Sequence, residues 1–443
     1  MWGATDNSPV AQKILMKHTT KINHVWRDVL DRLPPTVRRE AIRITKQRLD
    51  LGQCAQKEHS LGHISAAEFD LEWTRQGRLL QEQLKELLGD IEFEETAYCL
   101  VHDRKCHLSP RSDLEYRSAY WMEGAGHMCC PWSSMPCGGG AKWLDWATLT
   151  FLVWAYSVRF FEPDSVLEEN VPRFKHDALS DILNDFDDGT PKHVHARHLE
   201  TGTRQYVVQE ATFSPTQLGV PAERWRKYVS YHLSPFIICN FSVPLSALFF
   251  RKLVLDGTIY FKHSTEEMRR TEIADFISRK KGPPLAALGD AEDHAGLSAG
   301  SITRLEQFVE VAKEAGWLND DGDWVEVEGA PSMALANVTQ NESYSKMKTD
   351  VIPALLPGSI LYDLRRKELM LACEAWVAQG FAHPMLMIPG RKFLFEDCLL
   401  DLSDPEALNV VQQRKMIGNS FHSAAIGCWL AYNMAATDRS AIS

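Results

Sequence analysis

From about residue 91 onward, short apolar runs alternate with helical stretches, and this alternation limits the possible folds more than any other feature of the chain. The runs are Thr96–Val101, Gly126–Cys129, Ser165–Leu167, Tyr206–Val208 and Tyr228–His232. Strand-length apolar segments separated by helix-length segments predict βα units and a mostly parallel sheet. Residues 1–90 read differently. Pro34-Pro35 opens one helix running through Ile42 to Leu51, because a proline fits the first helical turn. Ser65 and Glu68 form a capping-box pair ahead of Phe69, Leu71, Trp73, Leu79, Leu80, Leu84, Leu87 and Leu88, a helical spacing closed by Gly89. Residues 240–335 break the rhythm with Pro283-Pro284 and the acidic turn Asn319-Asp320-Asp321-Gly322, which predicts an inserted lobe. The helical pattern returns from about residue 345 and ends in an amphipathic stretch, Ser420–Ala435.

A chain of 443 residues is too long for one small core, so one large domain with an insert, or two to three lobes, is expected. The net charge of −11 argues against a surface coated uniformly for nucleic acid. Phosphate contacts are local, however, and four basic runs are candidates: Arg224-Trp225-Arg226-Lys227, Arg269-Arg270, Arg279-Lys280-Lys281 and Arg365-Arg366-Lys367. The alternative for each is an ordinary solvated surface. The most apolar helix, Trp143–Phe161, carries Asp145 and Arg159 with only 13 residues between them, too few to span a bilayer. It is expected to be a buried helix. Ten cysteines without a secretory leader predict reduced thiols in the nucleus or cytoplasm and a chain that is not secreted.

Three constellations carry chemistry. Cys129 ends the run that begins at Ala125 and is followed by Pro136-Cys137-Gly138-Gly139-Gly140, a flexible loop of the kind that closes over a substrate. Its neighbour Cys130 competes as nucleophile, and a buried apolar cysteine is the bland alternative for either. Glu169 ends the run Ser165–Leu167, where active-site groups of parallel sheets gather; Glu168 is the competing acid. Arg224 and Arg226 stand at alternate positions entering a strand, so both guanidinium groups could face one acidic ligand. A fourth group, Cys99-x2-His102-x3-Cys106-His107, has zinc-ligand types at irregular spacing, with Cys54, His59 and His63 nearby in sequence. Its spacing is also that of ordinary structural cysteines, and no metal is assigned.

Taken together these residues resemble the C5-cytosine DNA methyltransferases. Cys129 is followed at plus three and plus four by Trp132 and Ser133, where the family's Pro-Cys-Gln-x-Phe-Ser block has its aromatic and serine. The Glu-Asn-Val block stands unaltered as Glu169-Asn170-Val171, after Pro163. Ala222-Glu223-Arg224-Trp225-Arg226 matches the Gln-x-Arg-x-Arg block, Glu374 to Gly380-Phe381 a later block, and Gly418-Asn419-Ser420 the terminal one. The order and the long insert before the terminal blocks also match.

The resemblance implies an α/β, Rossmann-like S-adenosylmethionine-dependent methyltransferase fold with an inserted recognition lobe and a helical N-terminal extension. Residues 1–90 would be the extension and 91–239 the catalytic core. Residues 240–335 would be a target-recognition-like insert, and 336–443 would complete the catalytic domain. Cys129 would attack C6 of a cytosine flipped from a DNA duplex. Glu169 would hold N3 and N4 and protonate N3, Arg226 with Arg224 would contact O2, and Asn419 and Ser420 would lie near the cofactor at the head of the closing helix.

This chain departs from the family at several positions. Met128 precedes the nucleophile instead of proline, Cys130 follows it instead of glutamine, Ala222 replaces a glutamine, and Phe421-His422-Ser423 replaces a proline pair. The family's first block, Phe-x-Gly-x-Gly, should lie about sixty residues before Cys129, yet residues 55–75 hold Gly62 and no glycine pair. Two further readings follow: an inactive homologue that binds DNA or a partner through the insert, and a zinc-containing binding protein built on residues 54–107.

Overall fold

The computed structural model describes residues 2–17, 22–126, 143–184, 205–234, 237–261, 264–279, 297–343, 345–381 and 408–439. Chain contacts divide it into two compact units, Met1–Thr212 with Arg226–Ser242 and Tyr432–Ser443, and Phe213–Trp225 with Val243–Ala431.

The first unit begins with β1 (Gly3–Thr5), α1 (Pro9–Lys17), β2 (His24–Trp26), α2 (Pro35–Ser60) and α3 (Ala66–Gly89). The two long helices are those the sequence predicts, with α2 running nine residues past Leu51. Proline occupies the first turn of α2. At the start of α3 the Glu68 amide donates to Ser65 Oγ (3.3 Å) and the Ser65 amide to Glu68 Oε2 (2.8 Å), the reciprocal satisfaction that a capping box provides. β3 (Thr96–Cys99) and β4 (Arg104–His107) follow as a hairpin. The run at Thr96 therefore does not enter the main sheet. It joins a small separate sheet of order β1-β2-β3-β4.

The main sheet of this unit contains β5 (Met122–Gly126), β6 (Ser165–Asn170), β7 (Gln205–Phe213) and β8 (Arg226–Ser234), in the order β5-β6-β8-β7. Between β5 and β6 runs α4 (Trp146–Phe161), capped by Asp145, which accepts from the Ala147 amide at 2.8 Å. α4 is buried from Ala147 to Val158 apart from Thr150, as its hydrophobicity predicts. β5 and β6 are parallel, but β6 and β8 are antiparallel, with Glu169 opposite Tyr228 and Ser165 opposite His232. The sheet is α/β but less parallel than the alternation suggests. An apolar run specifies that a strand forms; the connection before it sets the direction, and β8 lies between β6 and β7, antiparallel to β6. α5 (Asp177–Asn184) and β9 (Ile237–Cys239) complete this part.

One core joins the main sheet to the helices packed on it. Ala41 and Ile44 of α2, Leu80, Leu84 and Leu88 of α3, and Leu149 and Leu152 of α4 pack with Leu179 and Leu183 of α5 and with Val166, Val229, Tyr231 and Leu233 of the sheet. The N-terminal helices are therefore covered by the sheet's own core. No described helix is long and apolar enough to cross a membrane.

The second unit contains α6 (Leu245–Phe249), α7 (Glu266–Arg279) and α8 (Ala299–Glu314), then an antiparallel sheet of order β11-β10-β12-β13. Its strands are β10 (Ala334–Asn337), β11 (Lys348–Thr349), β12 (Leu361–Asp363) and β13 (Glu368–Leu369). α9 (Ala372–Ala378) and α10 (Val410–Asn419) follow, and α11 (Ser423–Ala436) passes into the first unit at Tyr432. The closing helix thus starts at Ser423, three residues later than predicted. Gly418 ends α10 against the backbone of Leu356 and Pro357, where a Cβ would sit 2.1 Å from the Pro357 nitrogen, so only glycine fits. The last strand, β14 (Thr437–Arg439), pairs antiparallel with β9 in the first unit.

Candidate active site

Strand alternation gives β6 and β8 two different faces. Val166 and Glu168 share one face with Val229 and Tyr231, and this face meets the apolar core. Ser165, Leu167 and Glu169 share the other with Arg226, Tyr228, Ser230 and His232.

Glu169 lies near the carboxyl end of β6 and Arg226 at the start of β8. Because the strands are antiparallel and Glu169 pairs with Tyr228, Arg226 projects from the same face just beyond it. Arg226 Nε reaches Glu169 Oε1 at 3.0 Å, and each side chain is only 9% exposed. A buried pair of this kind holds both groups in place, because removing either leaves a charge in a poorly solvated site. In the parallel pairing Gly126 is opposite Glu169. The carboxyl end of β5, three residues before Cys129 in sequence, therefore lies beside the Glu169 backbone. Cys129, Cys130, Trp132 and Ser133 themselves fall outside the described residues.

Glu168 belongs to the core face. Its Oε2 is 2.9 Å from His176 Nδ1 and 3.5 Å from the Tyr231 hydroxyl, which also donates to the His176 carbonyl at 3.1 Å. Burial pushes its carboxyl above the ordinary range, and the His176 and Tyr231 contacts pull it back in part. Glu168 is thus engaged inside the unit, and Glu169 stands on the opposite side of the sheet. Asn170 is buried and turns its Oδ1 back onto the Val171 amide (2.8 Å), shaping the chain as it leaves β6.

The other face carries a polar row that the sequence did not single out. His232 is fully buried; its Nδ1 lies 2.7 Å from Ser165 Oγ, and its Nε2 lies 3.0 Å from Asn433 Oδ1 and 3.1 Å from Ser230 Oγ. The Tyr120 hydroxyl makes a short contact with Ser165 Oγ. Burial pushes the His232 pKa down to about 4, so the ring is neutral near pH 7, with Nε2–H facing the Asn433 oxygen. The alternate polar positions Ser230 and His232 within an apolar run were the only sequence signal for this row.

The other expected arginine, Arg224, belongs to the second unit. Arg224 precedes β8, and within the second unit its guanidinium donates to the carbonyls of Leu355 (3.0 Å), Gly418 (3.3 Å) and Ser420 (2.9 Å). A cation on the final carbonyls of α10 satisfies acceptors that the helix leaves open and complements its dipole. Asn419 is exposed at the end of α10, and Ser420 Oγ donates to the Ile417 carbonyl at 2.8 Å. The structure therefore joins Glu169 with Arg226, and Arg224 with Ser420. Glu374, from the later block, is buried and caps α9 through the Leu371 amide (2.7 Å), with Ser264 also bound to it. Burial pushes its carboxyl up to about 7.

Apart from Arg224, which binds carbonyls, the basic side chains that are described in these runs pair with acids. Lys227 pairs with Glu210, Arg269 with Glu368, Arg270 with Glu266, Arg365 with Glu326, Arg366 with Asp363 and Lys367 with Asp323. Lys280 and Lys281 lie outside the described residues.

No family model and no curated protein matches the chain. Among solved structures it is similar to the Entamoeba histolytica methyltransferase EhMeth, at 16% identity over 74% of this chain and 80% of that one, with a TM-score of 0.37. It is also similar to a Spodoptera frugiperda DNMT2 variant (12%, 74% and 82%, TM-score 0.32) and to the S. pombe Dnmt2 methyltransferase (13%, 71% and 77%, TM-score 0.28).

Proposed function

We propose that the chain is a cytosine C5 methyltransferase acting on DNA, with Cys129 as nucleophile and the Glu169–Arg226 pair as the cytosine-holding group. The observation that supports this reading best is the buried ion pair at the carboxyl end of β6, on one face of the sheet and beside the end of β5. A carboxyl and a guanidinium fixed together suit the polar edge of a cytosine, which offers N3, the N4 amine and O2. In the proposed step the Cys129 thiol gives up its proton as its sulfur bonds to C6, and the Glu169 carboxylate, protonated as the base binds, passes a proton to N3. The electron pair of the C5–C6 bond then makes C5 nucleophilic without charge building up on the ring. Before methyl transfer, reversal expels the thiolate and restores the ring; after it, a base must take the C5 proton for the thiolate to leave. Arg226 positions Glu169 and the base, whereas Arg224 positions the end of α10.

S-adenosylmethionine is the methyl donor that the resemblance implies. Residues 55–75, where its glycine turn should be, form the end of α2 and the start of α3. Gly62, at φ +75°, lies in the exposed bend between the two helices, with nothing within 4 Å of its Cβ position. A strand-to-helix cradle needs backbone close to the ligand, and this segment does not fit one. The same helical bend favours a second reading, a homologue that binds DNA or a protein partner without methyl transfer.

The test is labelled-methyl transfer from S-adenosylmethionine to DNA and to RNA, with a covalent trap on 5-fluorocytosine DNA. Wild type should transfer and trap, Cys129→Ala should do neither, and Glu169→Gln should trap poorly. Well-folded wild type that neither binds the donor nor transfers would establish the second reading. Activity that survives Cys129→Ala but not Cys130→Ala would move the nucleophile by one position.

A further inference from the structure

We propose that His24, Cys99, His102 and Cys106 form a closed, structural zinc site that ties β2 to the β3–β4 hairpin. The four side chains come from three places in the chain: β2, the end of β3 with the turn after it, and β4. One ligand atom from each lies within 4.8 Å of every other. The Cys99 sulfur is 3.7 Å from His24 Nδ1 and 3.5 Å from His102 Nδ1, and the Cys106 sulfur is 3.6 Å from His102 Nδ1. A tetrahedral zinc with its usual sulfur and nitrogen bond lengths sets neighbouring S and N ligands about 3.6 Å apart. The three S–N edges agree with that value.

Hydrogen bonding alone does not account for the cluster. An imidazole nitrogen has one lone pair or one hydrogen, yet His102 Nδ1 is equally near two sulfurs, and Cys99 is equally near two rings. Both cysteines are free thiols. Convergence of four such atoms on one point is the arrangement a single cation requires. Two thiolates and two neutral imidazoles suit zinc in particular: the ligands are borderline-soft, the set is tetrahedral, and the thiolates cancel the ion's charge. Four protein ligands leave no open position for water or substrate, so the site is structural.

The surroundings support the same reading. β1 to β4 have three, three, four and four residues, and their buried apolar set is Trp26, Ala97, Cys99, Cys106 and Leu108. A sheet that small needs a cross-link to be well ordered. The hairpin turn is tight, with Asp103 at φ +51° and the Leu100 amide donating to the Val25 carbonyl at 2.7 Å, which places His102 over the sulfurs. His24 stacks on Trp26 at 5.4 Å, and this fixes the ring. Cys54 is exposed, His63 pairs with Glu58, and His59 stacks on Phe69, so none of these belongs to the cluster.

The experiment is zinc analysis of the full chain purified under reducing conditions without added metal, followed by cobalt(II) substitution. Expected are one zinc per chain and a cobalt spectrum with thiolate charge-transfer bands and tetrahedral d–d intensity. Cys99→Ser with Cys106→Ser should abolish both, and Cys54→Ser should leave both unchanged. His102 is exposed, so His102→Ala should fold, shift the cobalt bands and weaken zinc binding by at least about 100-fold, beyond the loss of an outer-sphere partner. The proposal is overturned if folded wild type holds no metal and gives no tetrahedral cobalt spectrum. It is equally overturned if Cys99 and Cys106 are found disulfide-bonded in the reduced preparation, or if His102→Ala leaves the spectrum unchanged.

Discussion

The first unit contains two sheets held by different means. The main sheet packs one face on α4 and α5 and shares a core with α2 and α3, in which Leu80, Leu84 and Leu152 are fully buried. The small sheet has short strands and little apolar burial, and polar ligands occupy its centre. Burial scales with apolar area. The main sheet can therefore hold a charged pair at the ends of its inner strands, while the small one depends on a cross-link. The difference suggests why Glu169 and Arg226 stay fixed: the strands beneath them are anchored independently of the pair.

The comparison can be broken first at that pair. Arg226→Ala leaves the Glu169 carboxylate buried without its partner and should cost about 3–5 kcal/mol. Denaturant melts of Arg226→Ala, Glu169→Ala and the double variant should show the second substitution costing far less than the first. Additive losses would mean that the pair is not coupled. Next come the two cores. Leu152→Ala should cost about 2–5 kcal/mol and lower the whole unit's stability. Metal chelation should instead raise hydrogen exchange in β1 to β4 and leave β6 and β8 protected. Equal loosening of both sheets by chelation would show them to be one cooperative element.

The smallest expected effect is in the pH dependence. His232 is held neutral, with a pKa of about 4 against 6.5 for the free side chain, so below pH 6.5 the unfolded chain takes up a proton that the folded chain refuses. Its stabilisation is complete above 6.5 and is lost as pH falls toward 4, about 3 kcal/mol in all. His422, also lowered to about 4, acts in the same direction in the second unit. Glu374 acts oppositely: protonated in the fold up to about 7, it contributes fully below 4.5 and loses its contribution as pH rises through 7. Melts at pH 7 and 4.5 should fall less steeply for His232→Gln than for wild type, because Glu374 is common to both. Identical slopes would remove His232 as the acid-sensitive group.

Local patterns are legible in the linear chain. α2, α3 and α4 follow from proline placement, a capping box and a continuous apolar run, all of which act within a few residues. The strands at 165–170 and 226–234 also show as apolar runs, and alternation along β8 is enough to set Glu169 and Arg226 on one face once the register is fixed. Strand direction is not legible, because an apolar run is the same in either orientation. Nor is the fate of Arg224, since nothing beside it in sequence indicates that residues 355, 418 and 420 will present carbonyls to it.

The two sites show the same division. Cys99, His102 and Cys106 stand close enough in sequence to be suspected, but His107, Cys54, His59 and His63 are candidates on the same ground, and the fourth member, His24, is 75 residues from Cys99. Residue types and short-range spacing are properties of the linear chain and determine which chemistry is possible. Which of those residues meet depends on strand pairing and core closure, which only the folded chain supplies: Trp26 opposite Cys99 carries His24 to the thiols, and Glu169 opposite Tyr228 carries it to Arg226.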